Sequence, residues 1–448
     1  MGKKSLKKSN AEPPKKTIQL SQCMIVKNEE KNIGKALGWA KGIAFEQIVV
    51  DTGSTDRTVE LAEQMGAKVY HFEWINDFSA AKNYAIGQAT GNWIAFLDAD
   101  EYLSPEDAKK MLALVKKIQS EPMLRAQYPA IMSPIVQLND QGKPFGIDEQ
   151  IRVYRNIPSL RYIGRIHEML SLDFKNIRYT DDFSIMHTGY AKSVYTESLK
   201  ADRNIAILRE ELAERPDDLN LKVYLADALD AKAKSGEQDG SIDADAEAEA
   251  LYSEAAYSDG QIYTQLRRRA LLLAMDKKLM TGKPVSECER MCLRALSLFP
   301  GDPDYEYYHA RVLRKMGDHG TAWSILRNCE TKLIKGSIDK KALIAVKPWL
   351  VFIEMVLLAD ESGDVESVVK YATMVLMENK TQQDILSPYI ATMFRSGNTE
   401  EDITAILAKI YNMSDPQDVL FVAHAAKKCG AIDLARTMAR LAGSLINV

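Results

Sequence analysis

An apolar run, Trp93-Ile94-Ala95-Phe96-Leu97, ends directly in Asp98-Ala99-Asp100-Glu101. Two carboxylates two positions apart at the end of a buried strand suit a hard divalent cation, Mg²⁺ or Mn²⁺, whose shell phosphate oxygens would complete. Ligands of open α/β sheets bind at such strand carboxyl ends. Three more polar clusters follow apolar runs. Lys27-Asn28-Glu29-Glu30 follows LSQCMIV, and Asp51-Thr52-Gly53-Ser54-Thr55-Asp56 follows QIVV. Asn76-Asp77-Phe78-Ser79-Ala80-Ala81-Lys82-Asn83 follows AKVYHF after a short gap. Taken singly, each reads as a turn or helix cap. Together they can converge on one crevice. There Asp51 can accept from a nucleobase N–H, and Gly53 allows a close turn. Backbone N–H groups at the next helix start, beside Gly53 and Ser54, favour phosphate or hydroxyl contact.

The elements that must position these clusters are legible as alternating short strands and helices. Strands are expected over 20–26, 47–51, 67–72 and 92–98. Helices are expected over 31–41, from Thr58 with Thr55 as cap, over 77–89, and after Ser104-Pro105-Glu106-Asp107. That alternation predicts βαβ units and a parallel sheet. From 128 to 190 further strands separated by turn residues predict a mixed or antiparallel extension. From about Ser193 the chain is Ala-, Leu-, Glu-, Lys- and Arg-rich with apolar residues at helical spacing. ERPDDLNLKVYLADALDAKAKSG and FPGDPDYEYYHARVLRKMGDHGTAWSILRNC resemble each other as degenerate tetratricopeptide units. The expected organisation is a basic tail (1–17), an α/β domain (18–192) and an all-α helical-repeat domain (193–448).

Bulk properties narrow the function. The chain has 448 residues and a formal net charge of −4, so no general basic field draws nucleic acid. Its five cysteines, with no CxxC, read as reduced thiols rather than a disulfide frame or zinc site. Cys288 and Cys292, one helical turn apart, read as a shared packing face. No apolar run reaches the ~18 residues a transmembrane helix needs, and no secretory signal is present, so the expected location is cytoplasmic.

CMIVKNEE, IVVDTGSTDRT, FEWINDFSAAKN and FLDADE stand in the order and spacing of family 2 glycosyltransferases of GT-A fold. The chain resembles that family over about 18–190. With its helical tail it is similar to bacterial sublancin-type S-glycosyltransferases and to flagellin- or surface-modifying relatives. The resemblance implies that Asp51 binds the nucleobase of a UDP-sugar, while Asn28, Glu29 and Lys82 line the nucleotide pocket. It also implies that Asp98 and Asp100 form a metal-binding D-x-D. Lys82 stands where many relatives carry Arg, which keeps the charge and gives up bidentate geometry. An inverting transfer needs a base for the acceptor proton. Glu168, in Gly164-Arg165-Ile166-His167-Glu168, is assigned that role, with His167 as runner-up and Asp148 or Glu149 behind. His187 is assigned to the metal or diphosphate.

The function so implied is metal-dependent hexose transfer from a nucleotide-sugar to a peptide or protein side chain. Transfer to a cell-surface glycan or lipid-linked acceptor is the alternative, and a non-catalytic repeat adaptor the other. A nucleotidyltransferase wants a Gly-rich basic phosphate loop near the start of the chain, and none is present. Acceptor binding and homodimerisation are the joint expectations for the helical tail, with Tyr305, Tyr307, Tyr308 and Arg267-Arg268-Arg269 as contact points.

Overall fold

The computed structural model describes residues 17–139, 141–188, 194–235, 243–340 and 342–446. Apart from Thr17, the basic tail expected over 1–17 lies outside them. The chain divides into two compact units, 1–245 and 246–448.

The first unit opens with β1 (Leu20–Val26), α1 (Ile33–Gly38), β2 (Glu46–Asp51), α2 (Thr58–Gln64), β3 (Lys68–His71), α3 (Phe78–Gln88) and β4 (Trp93–Phe96). β1 pairs in parallel with both β2 and β4, and β2 with β3, which gives the order β3-β2-β1-β4. Strands flanked by helices on both faces are buried throughout. This explains the unbroken apolar runs Met24-Ile25-Val26 and Trp93-Ile94-Ala95-Phe96. Asp77 caps α3 by accepting from Ala80 N–H. The cap expected at Thr55 is not there: Thr55 N–H and hydroxyl both donate to Asn28 Oδ1, and Asp56 Oδ1 accepts from Thr58 N–H at 3.0 Å. An Asp two residues before the helix outcompetes the hydroxyl, because Thr55 is drawn away to the neighbouring loop.

The unit continues through β5 (Glu101–Tyr102), α4 (Pro105–Ser120), α5 (Pro122–Gln127), β6 (Ala130–Leu138) and β7 (Pro144–Arg155). Then come the small hairpin β8 (Tyr162–Ile163) and β9 (Met169–Leu170), and the strands β10 (Ile177–Tyr179) and β11 (Ile185–His187). Ser104 caps α4 on Asp107 N–H, with Pro105 at the first position. β7 lies antiparallel between β4 and β6, while β11 runs parallel to β6 and antiparallel to β5. The mixed extension read from the sequence is therefore continuous with the parallel half. Trp93, Val153, Ile135, Ile185, Met111 and Val115 form one core beneath α4, and Cys23, Val50, Phe96, Tyr154 and Tyr162 another beneath α3. Two long helices, α6 (Val194–Glu214) and α7 (Leu219–Ser235), complete the first unit.

The second unit is helical among its described residues. It begins with α8 (Ala244–Tyr257), α9 (Thr264–Met280), α10 (Val285–Leu298), α11 (Pro303–Met316) and α12 (His319–Ile334), and helices continue to Ile446. α9 packs on α10, α10 on α11 and α11 on α12, as repeat units must to bury their apolar faces. Gly317, in the left-handed region at φ 86°, ends α11. Tyr305, Tyr307 and Tyr308 are buried, which removes them from the set of expected contact points. Tyr305 and Tyr308, three positions apart, share one face of α11, and Tyr307 is buried beside them. Arg268 is likewise committed, donating to Asp302 and Asp304. Cys288 and Cys292 are both buried free thiols on α10, the shared packing face expected.

Candidate active site

The carboxyl ends of β1, β2 and β4, the loop 164–168 and the end of β11 surround a cavity of about 1070 Å³. Of the residues singled out from the sequence, Glu29, Lys82, Asp98, Asp100, His167, Glu168 and His187 line it. Asn28, Asp51, Gly53 and Ser54 do not line it; Lys27, Glu29 and Thr52 are the lining members of their two loops. These two loops are cross-linked. Asn28 N–H donates to Ser54 Oγ at 2.9 Å, and Asn28 Oδ1 accepts from Thr55 N–H at 2.7 Å. Asn28 adopts φ 57° to do so, a conformation Asn tolerates better than most residues. Asp51 is buried at the end of β2. Its carboxylate accepts from the N–H groups of Gly53 and Ser54 and faces His71 Nδ1 at 3.5 Å.

Asp98 and Asp100 emerge from β4 with different surroundings. Asp98 Oδ2 lies 2.6 Å from Arg152 Nη2, and Oδ1 lies 3.3 Å from Lys82 Nζ. Burial alone would raise the Asp98 carboxyl; the charges of Arg152 and then Lys82 reverse this and hold it well below the usual carboxylate range. The same Arg152 nitrogen reaches Glu101 Oε1 at 2.6 Å. Glu101 is raised, because its burial outweighs the guanidinium. Lys82 bridges two carboxylates, with Glu168 Oε1 at 2.6 Å. Burial would lower its ammonium, but Asp98 and Glu168 raise it.

Asp100 instead faces an imidazole: its Oδ2 is 3.3 Å from His187 Nε2. Burial pulls the His187 ring down, and the Asp100 carboxylate more than offsets it, leaving the ring raised. β11 is fastened to the D-x-D loop, since Thr188 N–H and hydroxyl both donate to the Asp100 carbonyl.

The three candidate metal ligands thus divide. Asp100 and His187 come together; both oxygens of Asp98 are taken up by cations. Among the described residues no three His, Cys, Asp or Glu side chains enclose a cation unaided. Two protein ligands nevertheless suit Mg²⁺ or Mn²⁺, which are held by one or two side chains together with substrate phosphates.

His167 and Glu168 point apart. His167, at φ 52°, stacks its ring on Tyr224 of α7 at 4.0 Å between centroids, while Glu168 turns to Lys82. The loop is pinned on its other side by α3. Phe78 N–H donates to the Arg165 carbonyl at 2.8 Å, and Ser79 Oγ donates to the Gly164 carbonyl at 2.5 Å. Arg165 in turn pairs with Glu210 and Glu214 of α6. Asp148, a lower-ranked base candidate, instead accepts from Gln137 Nε2 at 2.8 Å; Glu149 lines the cavity.

Several lining residues escaped the sequence reading: Arg152, Tyr162, Trp74, and Lys200, Arg203 and Asn204 of α6. Arg152 had a visible signal, a guanidinium set between Ile151 and Val153 inside a strand. The α6 residues had none, being ordinary polar positions of a long amphipathic helix.

Residues 21–121 match the family model described as Glycosyl transferase family 2. A TPR repeat-containing protein of Synechococcus elongatus is 34% identical over 212 residues, 45% of this chain and 50% of that protein. The SPbeta prophage-derived glycosyltransferase SunS of Bacillus subtilis is 29% identical over 202 residues, 44% of this chain and 45% of that protein. An uncharacterized glycosyltransferase of Rickettsia felis is 43% identical over 88 residues, 20% of this chain and 31% of that protein. The chain spans about half the length of the first two and less of the third.

Proposed function

We propose that this chain, whose residues 21–121 match the family 2 glycosyltransferase model, transfers a hexose from a UDP-sugar to a nucleophilic side chain of a peptide or protein. The observation that carries this reading is the convergence on one cavity of the ends of β1, β2 and β4, the Asp100–His187 pair and Glu168. The relative named as the glycosyltransferase SunS supports sugar transfer, and the one named as a TPR repeat-containing protein supports helical repeats.

In this reading Asp51 and the cross-linked loops around Asn28 and Ser54 hold the nucleoside. Asp100 and His187 would hold Mg²⁺ or Mn²⁺, which would supply charge neutralisation for the departing diphosphate. Asp98, fixed between Arg152 and Lys82, holds its place in the floor beside the sugar. Glu168 takes the acceptor proton as the acceptor atom bonds to the anomeric carbon. The bond from that carbon to the diphosphate oxygen breaks, and the nucleoside diphosphate leaves with its electron pair. Glu168 is preferred to His167 because the His167 ring is spent on Tyr224.

The test is donor turnover with radiolabelled UDP-glucose and related UDP-sugars in the presence of Mn²⁺. Slow hydrolysis or transfer is expected. Glu168→Gln should lower kcat by about two to four orders of magnitude with donor affinity nearly unchanged. Absence of donor binding and of turnover for every UDP-sugar tried overturns the reading; the same loss in His167→Ala but not Glu168→Gln exchanges the two roles.

A further inference from the structure

The Asp100–His187 pair has a structured back. Gln137 on β6 sits in register with His187 on β11, and its side chain is buried. Its amide nitrogen donates to Asp148 Oδ2 on β7 at 2.8 Å, and its amide oxygen lies 2.5 Å from His187 Nδ1. The donation to Asp148 decides which way round the amide stands, because a carboxylate oxygen would repel the amide oxygen. The atom facing His187 is then an acceptor and nothing else. Nδ1 must carry the proton, and in the neutral ring the lone pair is left on Nε2. That is the nitrogen 3.3 Å from Asp100 Oδ2, on the cavity side.

We propose that Gln137 and Asp148 are positioning residues for the cation: they fix the His187 tautomer and ring so that Nε2 is presented, beside Asp100, as a ligand for a divalent metal. The inference rests on the reading that Asp100 and His187 hold that metal. It gives a role to two residues that touch neither donor nor acceptor. It also gives Asp148 a role other than catalytic base. Ligating imidazoles need such a partner on the second ring nitrogen, and losing it costs about 10–100-fold in metal affinity. The chain Asp148–Gln137–His187–Asp100 crosses three neighbouring strands, so the sheet itself sets the ring plane.

The experiment is Mn²⁺ binding to the full chain, with and without UDP, followed by electron paramagnetic resonance or calorimetry, alongside ¹⁵N NMR of the histidine rings at a pH where they are neutral. In the wild type His187 should show a protonated Nδ1 and an unprotonated Nε2. Gln137→Leu should weaken Mn²⁺ by about 10–100-fold and mix the tautomers. Gln137→Glu combined with Asp148→Asn, which keeps an acceptor at Nδ1 and a hydrogen bond between the two side chains, should retain most of the affinity. Asp148→Ala, which frees the amide to turn over, should fall between them. A wild-type His187 protonated on Nε2 overturns the proposal. So does wild-type Mn²⁺ affinity in Gln137→Leu when Asp100→Asn has lost it. If the wild type binds no Mn²⁺ in either condition, the reading of the metal site fails and the proposal falls with it.

Discussion

Glu46 stands at the start of β2, at the end of the sheet away from the cavity, and its side chain is 3% exposed. Oε1 accepts from Ser21 Oγ at 2.7 Å, Thr90 N–H at 2.7 Å, Thr90 Oγ1 at 2.9 Å and Gly91 N–H at 3.3 Å, while Oε2 accepts from Lys68 Nζ at 2.7 Å. Burial alone would raise this carboxyl; the Lys68 ammonium, the Ser21 hydroxyl and both Thr90 donors outweigh it and bring it from the usual 4.5 down to about 2. The folded chain therefore keeps Glu46 ionised to lower pH than the unfolded chain does. Its contribution is complete above pH 4.5 and is lost as the pH falls towards 2. At ~1.4 kcal/mol per pH unit of separation, the full effect is about 3 kcal/mol. Lys68 is 54% exposed, so its own share is screened to about 1 kcal/mol or less, and the buried donors carry the rest. The perturbation is Glu46→Gln, with Lys68→Ala as control. Hydrogen–deuterium exchange of β1 and β2 peptides across a urea series reads the first unit without interference from the second. The wild type should exceed Glu46→Gln most near neutrality, and the gap should close by about 2–3 kcal/mol as the pH is lowered to about 3. A gap that does not change with pH, or one abolished entirely by Lys68→Ala, refutes the reasoning.

Gly91→Ala should cost about 1–3 kcal/mol, because a Cβ there would lie 2.4 Å from the Gln19 carbonyl oxygen and 2.5 Å from Ser21 Oγ; urea unfolding checks it. Asp51→Ala should raise the donor KM and leave kcat nearly unchanged, since a nucleobase contact is the same in ground and transition states. Arg152→Met leaves Asp98 and Glu101 without their shared cation and should cost about 3–5 kcal/mol in the first unit, so a wild-type melting temperature would show the ion-pair arrangement to be wrong. A fragment of residues 1–245 should remain folded and hydrolyse donor, whereas 1–192, lacking α6 and α7, should lose donor turnover; equal rates in the two would remove the helices from the site.

The parallel half of the fold was legible because its central strands β1, β2 and β4 are buried on both faces and α3 and α4 carry capping signals. LSQCMIV and QIVVD became β1 and β2 almost to the residue, and Asp77 and Ser104 cap where they were expected or adjacent to it. Thr55 misled because a cap is a competition between acceptors, and Asn28, 27 residues away, had claimed its hydroxyl and its N–H. The carboxylate pair Asp98 and Asp100 was legible as a cluster at a strand end, but the difference between their surroundings was not. Asp98 and Asp100 look equivalent in sequence. They differ because Arg152 and Lys82, from β7 and α3, arrive at one, and His187, from β11, at the other.

The same contrast explains the helices after residue 193. Their apolar spacing identifies them as helices, and repeat-like pairing identifies how each buries its face, but neither signal says which unit a helix joins. That is decided by contacts that have no local pattern. Arg165 meets Glu210 and Glu214, His167 lies on Tyr224, and the Arg203 guanidinium sits 5.1 Å from the Phe78 ring. Each joins a side chain of the loop 164–168 or of α3 to one more than 40 residues further on. Through them α6 becomes a wall of the cavity, and α6 and α7 together clamp the segment that carries Glu168. A sequence boundary drawn where the composition turns helical therefore falls inside the compact unit that holds the site.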